Sequence, residues 1–246
     1  MIPLILLAAA ALPLADLPND AQRFQACLAL AKKDPTGAVA QAEAWAGRGT
    51  PSIPARHCLG LAYVAAERWG PAAVSFEQAA RDADAQSDAR AAALWSQAGN
   101  AALAGEDAAK ARTLLDRAIV APGFPPAMKG EAWLDRARAD VALDDLTQAR
   151  ADLDSGLKLV PQDPFAWLLS ATLARRQNDL TRAAKDIALA AKSAPNDPAV
   201  ALEEGNIAAA AGQIDTAKRA WTRAAQLAPG EPEGKAASAA LAQAGP

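Results

Sequence analysis

The sequence predicts an all-α chain built from stacked pairs of short helices, and three observations carry that prediction. More than a quarter of the 246 residues are alanine, the best intrinsic helix former. Only 4% are aromatic, with one Tyr and four Phe, which argues against a sandwich or barrel, because strands favour aromatic and β-branched side chains. Third, residue types recur at a fixed pitch of 34 through the C-terminal half. With so few bulky residues a single thick core is hard to fill, and thin layers of closely packed helices suit the composition better.

Charged residues make up 22% of the chain and the formal net charge is -3. No block of Lys and Arg appears, so the electrostatic footprint expected of a nucleic-acid binder is missing.

Taken in chain order, Met1–Ala15 carries no charged side chain. Its apolar stretch Leu4–Leu12 has the length of a signal-peptide core and is shorter than the roughly 20 residues a bilayer span needs. Pro13-Leu14-Ala15 precedes Asp16, which places an expected cleavage after Ala15. Residues 1–15 then read as a signal peptide, and the mature chain, without a membrane span, is expected in the periplasm or outside the cell. The alternative is a retained N-terminal helix in a cytoplasmic protein, which Pro3 and Pro13 disfavour. Cys27 lies far past the apolar stretch, which excludes it as a lipid-attachment site at the cleavage point.

The repeat is clearest near the C-terminus. Ala149, Ala183 and Ala217 are 34 residues apart, and so are Leu153, Ile187 and Trp221, then Gly156, Ala190 and Ala224, then Pro161, Pro195 and Pro229. Ala149, Leu153 and Gly156 stand at i, i+4 and i+7, one face of a helix. Two of the three are tiny, so a second backbone can come close. The proline five residues on ends the helix. Upstream, Trp133 and Trp167, also 34 apart, anchor a preceding helix, while Asp144-Asp145, Asn178-Asp179 and Gly212-Gln213 supply the turn between the two. One helix pair cannot bury its apolar face alone, so neighbours must stack.

This pattern resembles the tetratricopeptide repeat family. Trp167, Ala171, Ala183, Ile187, Ala190 and Pro195 match one unit of its motif; Trp133, Ala137, Ala149, Leu153, Gly156 and Pro161 match the unit before, and Gly205, Gly212, Ala217, Trp221, Ala224 and Pro229 the one after. Trp95, Gly99, Ala111, Leu115 and Ala118 form an earlier unit, preceded by Gly60, Tyr63, Ala72, Phe76 and Ala79, and a degenerate first unit holds Ala38 and Ala42. The resemblance covers residues 17–230 as about six units, near 17–50, 53–86, 92–125, 130–163, 164–197 and 198–231, with residues 231–246 as a capping helix or tail. It implies an α-solenoid of stacked helix-turn-helix repeats forming a right-handed superhelix. Arg136, Ser170 and Glu204 stand where the family carries Leu, and Asp140, Ala174 and Ala208 where it carries Tyr, so looser first-helix packing is expected there.

In this register Cys27 and Cys58 fall on the first helices of neighbouring repeats. Two readings stay open: a disulfide in an oxidising compartment, or two buried thiols acting as small hydrophobes. The short leader and the alanine- and arginine-rich composition point to a bacterial envelope.

Catalysis has little support. His57 is the only histidine, so no imidazole cluster for a metal and no recognisable Ser-His-Asp spacing exists. It is expected to be exposed or groove-facing. No phosphate-cradling glycine loop appears. Asp144-Asp145 and Asp152-Asp154 lack calcium-loop spacing and read as a turn and a solvated helix face. Neither a cofactor nor an enzymatic activity is expected.

Binding of a protein or peptide is what the resemblance implies, on a concave face lined by first helices. Carried over position by position, that face presents Ser96 and Asn100, Leu134 and Arg138, Leu168 and Thr172, and Leu202 and Asn206. The amides suit a peptide backbone and the leucines apolar side chains; the other reading packs these leucines between helices. The two-lysine clamp of the chaperone-binding subclass is missing, since its positions hold Ser96, Asn100, Arg138, Phe165 and Leu169.

Overall fold

The computed structural model describes residues 13–48 and 52–245. The leader expected over residues 1–15 therefore lies almost wholly outside the described residues. Among those described, the chain is all α-helical apart from a short 3-10 turn at Leu14–Asp16, with no strand. It divides into two units that meet in sequence at Phe124 and Pro125.

The first unit contains α1 (Asp20–Lys33), α2 (Pro35–Ala46), α3 (Ile53–Ala65), α4 (Trp69–Ala85), α5 (Ala91–Ala104) and α6 (Ala108–Val120). Sequential helices pack against each other, and α1 also packs on α3. These two first helices carry a disulfide between Cys27 and Cys58, whose Cα atoms are 6.1 Å apart. The core is made of small side chains closed by single bulky ones. Gly60 in α3 faces the ring of Phe76 in α4, and a Cβ there would come within 2.5 Å of it. Gly99 in α5 faces Leu115 in α6 in the same way, and Trp95 is 1% exposed.

His57 is not exposed. It is half-buried, with its ring 5.0 Å from Phe24 and 5.8 Å from Phe76 between centroids. Burial pulls its pKa down; the nearby Gln97 side chain opposes this and the Arg90 cation adds to it. At the start of this unit Leu14 is buried, and its N–H donates to Gln41 Oε1 at 3.0 Å.

The second unit contains α7 (Pro126–Ala142), α8 (Leu146–Leu159), α9 (Pro164–Arg176), α10 (Leu180–Ser193), α11 (Pro198–Ala210), α12 (Ile214–Leu227) and α13 (Pro232–Gln243). Helices pair as α7 with α8, α9 with α10 and α11 with α12, and α13 packs on α12 and α11. Local chemistry sets each boundary. Asp144, Asn178 and Gly212 adopt positive φ at the turns, a conformation that Asn, Asp and Gly tolerate. The next residues, Asp145 and Asp179, cap α8 and α10 by accepting the N–H of Gln148 and Arg182. Asp163 and Asp197 cap α9 and α11, each followed by a proline in the first turn, where its missing N–H costs nothing.

The alanines of the repeat register lie at helix contacts: Ala149, Ala183, Ala190, Ala217 and Ala224 are fully buried. Gly205 lies against the Trp221 indole so closely that a Cβ would overlap the ring. The four tryptophans of the repeat register divide into two groups. Trp95 and Trp221 are core residues, whereas Trp167 is half-buried in the first turn of α9 and Trp133 is half-buried in the middle of α7, which starts earlier than its repeat position implies. Arg136 stacks over Trp133 at 4.4 Å, and Trp167 Nε1 donates to the Pro161 carbonyl at 2.9 Å.

The polar residues at the three leucine positions, Arg136, Ser170 and Glu204, do not loosen the packing as expected, because each finds a partner on a second helix. Arg136 pairs with Asp152 through Nε at 2.5 Å and Nη2 at 2.7 Å. Ser170 Oγ donates to Asp186 Oδ2 at 2.5 Å. Glu204 pairs with Arg223. Asp152, expected on a solvated face, is 1% exposed, since its charge is neutralised by Arg136 and further bonded by Gln148 Nε2 at 2.7 Å. Asp154 joins a closed ring across α8, α9 and α10. Arg150 donates to Asp154 and Ser170, Ser170 to Asp186, and Arg182 to both Asp186 and Asp154. Burial and the neighbouring Arg182 cation lower the Arg150 pKa. For Arg182 burial acts downward too, but the bonds to Asp154 and Asp186 outweigh it and hold the guanidinium above its ordinary value.

Candidate functional site

In the second unit, α7, α8 and α9 enclose a cavity of about 260 Å³ lined by Ala137, Arg138, Val141, Leu153, Leu169, Thr172, Leu173 and Arg176. Its position follows from the register. Arg138 and Thr172 are 34 residues apart and hold equivalent places on consecutive first helices; Leu169, Thr172, Leu173 and Arg176 share one stripe of α9 by their i, i+3, i+4 and i+7 spacing. Leu153 and Leu173 form the floor and belong to the core, while Leu169 and Val141 are only partly buried against it. Leu169 and Val141 therefore retain surface to offer to another molecule.

The residues expected on the first-helix face reach different ends. Arg138 and Thr172 both line this cavity. Leu134 does not face a groove: it is 3% exposed and packs against Gly156. Its partner helix approaches there through a glycine, so the leucine fills the space a Cβ would take. Leu168 and Leu202 are half-buried against the core clusters of the second and third helix pairs of this unit. The Asn206 amide is committed internally. Its Oδ1 accepts the Trp221 indole N–H at 3.0 Å and its Nδ2 donates to Glu203 at 3.2 Å. Ser96 and Asn100 lie on α5 of the first unit, Ser96 half-buried and Asn100 exposed. Val141, Leu169 and Arg176 were not anticipated as lining residues. The sign available in the sequence was the stripe itself, Leu169-Thr172-Leu173-Arg176, read one position off from the leucine at 168.

Electrostatically the cavity mouth is cationic. Arg138 and Arg176 are both exposed, and no carboxylate is among the lining residues. Arg138 Nη1 contacts Asp135 at 3.0 Å in a half-exposed pair, an arrangement worth well under about 1 kcal/mol. Arg175, next to the lining Arg176, is turned to Glu203 of α11 at 2.7 Å. Among the described residues no group of three or more His, Cys, Asp or Glu is placed to hold a metal ion, and no helix is long and apolar enough to cross a membrane. Cys58, bonded to Cys27, offers no thiolate beside His57.

Residues 134–198 match the tetratricopeptide repeat family. The matched tetratricopeptide segment begins one turn before the Arg138 side of the cavity and ends at the start of α11, so it contains every lining residue. No curated protein sequence matches the chain. Among solved structures, the fold is similar to that of Pseudomonas aeruginosa pilF, with TM-score 0.69, 17% identity, and coverage of 90% of this chain and 97% of that one. It is also similar to PilW, described as a widely conserved type IV pilus biogenesis factor, with TM-score 0.72 and 19% identity over 88% of this chain and 96% of the other. A third, YrrB, described as a TPR protein with an unusual peptide-binding site, aligns with TM-score 0.55 and 16% identity over 88% of this chain and 97% of that one. At these identities the likeness establishes the tetratricopeptide-repeat solenoid fold.

Proposed function

We propose that the chain is a non-catalytic scaffold that holds a segment of a partner protein on the first-helix face of its second unit, in the periplasm of a bacterium. The observation that carries this reading is the α7–α9 cavity: an apolar, open-mouthed hollow formed by first helices, with partly buried Val141 and Leu169 and two exposed arginines around it. Such a surface binds side chains and lacks the convergent acid, base and nucleophile that chemistry needs. The likeness to YrrB, whose description names a peptide-binding site, and to PilW, described as a type IV pilus biogenesis factor, supports a role in protein contacts. The Cys27–Cys58 disulfide supports an oxidising compartment.

The test is affinity capture from a native envelope extract with the wild-type chain and with Thr172→Trp, which fills the cavity from its rim. Circular dichroism of the variant checks that the helices stay intact. A protein retained by the wild type and lost by Thr172→Trp supports the reading; equal retention by both overturns the cavity as the binding face.

A cytosolic auxiliary subunit of an enzyme complex is the second reading. One observation favours it: Leu14 is buried and hydrogen-bonded to Gln41, and cleavage after Ala15 would remove it. N-terminal sequencing of the protein from cells separates the two, since a start at Asp16 supports export and an intact leader supports retention.

A further inference from the structure

The cavity also carries information about what enters it. Its volume, about 260 Å³, is below the roughly 300–1,000 Å³ usual for small-molecule sites, and it is walled by Ala137, Val141, Leu153, Leu169 and Leu173. That space suits one large apolar side chain inserted from a longer chain. The rim is asymmetric in charge. Arg138 on α7 stands level with Thr172 on α9, and Arg176 stands one helical turn beyond, so the two guanidinium groups occupy separate points around the mouth. The lining holds no acidic residue, and Arg138 keeps one contact, to Asp135 on its own helix at 3.0 Å. At the opposite end of the α9 stripe, one turn before Leu169, Phe165 is 48% exposed and extends the apolar track. The surface along α9 therefore runs from aromatic through apolar to cationic.

We infer that this site takes an internal segment of a partner protein in which a large apolar residue is flanked by acidic side chains. The inference rests on the scaffold reading above and adds the chemistry of the occupant. The argument for it is charge complementarity. Two cations held on different helices are met by two side-chain carboxylates spaced along a peptide, whereas a single carboxylate at a chain end meets only one of them. Complementary rim charges also favour encounter and exclude basic competitors.

The experiment pans a library of random dodecamers displayed on phage, in which each peptide is followed by the coat protein, against the purified full chain. The expected result is enrichment of Asp and Glu, threefold or more over the input, within three positions of a Leu, Phe or Met. A selected peptide is then synthesised with its acids intact, with each acid replaced by its amide, and with only a terminal carboxylate. Fluorescence anisotropy measures each against the wild type and against Arg138→Gln/Arg176→Gln, a change at two exposed residues that leaves the core untouched. Binding of the acidic peptide weakens about tenfold in the double variant, as expected for two surface charge contacts, while the amide peptide binds both proteins alike. Enrichment of basic residues, no enrichment, or equal affinity for acidic and amide peptides overturns the inference. So does preference for the terminal carboxylate. If these results are negative while Thr172→Trp still abolishes partner capture, the scaffold reading stands and the occupant assigned here is wrong; if capture also ignores the cavity, both fall.

Discussion

Arg136 on α7 grips the carboxylate of Asp152 on α8 with two nitrogens, at 2.5 and 2.7 Å, and that carboxylate is 1% exposed. The pair occupies a place where an apolar contact would be expected between the two helices of a repeat. Removing one partner strands a buried charge. Arg136→Ala is therefore expected to destabilise the chain by about 3–5 kcal/mol, whereas Arg136→Leu combined with Asp152→Leu falls within about 1 kcal/mol of the wild type or above it. Urea unfolding of the two variants checks this, and a single variant as stable as the double one would contradict it.

Gly205 on α11 lies so close to Trp221 on α12 that a Cβ would come within 2.3 Å of the indole. Gly205→Ala is expected to cost about 1–3 kcal/mol through overpacking. In a Trp221→Leu background the same change becomes nearly silent, because the indole it would strike is gone. A double-mutant cycle by thermal unfolding measures the coupling.

Cys27 and Cys58 close a loop with a sequence separation of 31. Reduction, or Cys27→Ala with Cys58→Ala, is expected to lower stability by about 3–4 kcal/mol on chain-entropy grounds. Thiol titration of the unreduced, denatured protein checks the premise and should detect no free thiol.

His57 gives the first unit a pH dependence. Its pKa is lowered by burial between Phe24 and Phe76, so the unfolded chain binds the proton more readily than the folded one. Stability is then full above the unfolded pKa, near 6.5, and falls as the pH drops below it. His57→Gln should flatten the change in denaturant midpoint between about pH 7 and pH 5 relative to the wild type; an unaltered slope would assign the effect elsewhere.

The repeat was legible because its cause is local. A small, bulky, small rhythm at i, i+4 and i+7 can serve one purpose, the close approach of helices, and Ala149, Leu153 and Gly156 do so as read. Turn chemistry was legible too, since Asp144-Asp145 and Asn178-Asp179 are residues that tolerate positive φ and cap. The polar interior was not. The periodicity of the helix that carries Asp152 cannot reveal a cation 16 residues upstream on another. The recurrence of that offset in Ser170 and Asp186 was the sign available. For Leu134 the sequence leaves groove and helix contact both open: position on a helix tells which face a residue takes, and only the glycine opposite, Gly156, decides whether that face is filled. His57, alone of its kind, had no pattern to place it beside two phenylalanines.

The ring of Arg150, Ser170, Asp186, Arg182 and Asp154 has a consequence for how the second unit comes apart. Arrays of this kind melt nearly piecewise, because each repeat senses only its neighbours, and contacts built from alanine give little reason for two repeats to open together. Two cations and two anions closed through a serine cannot be opened at α8 or α10 without parting an ion pair, and opening at α9 removes the hydroxyl that links them. The pairs α7–α8 and α9–α10, which carry the cavity, are thereby joined into a single cooperative block, and the floor on which a partner rests resists fraying from either side.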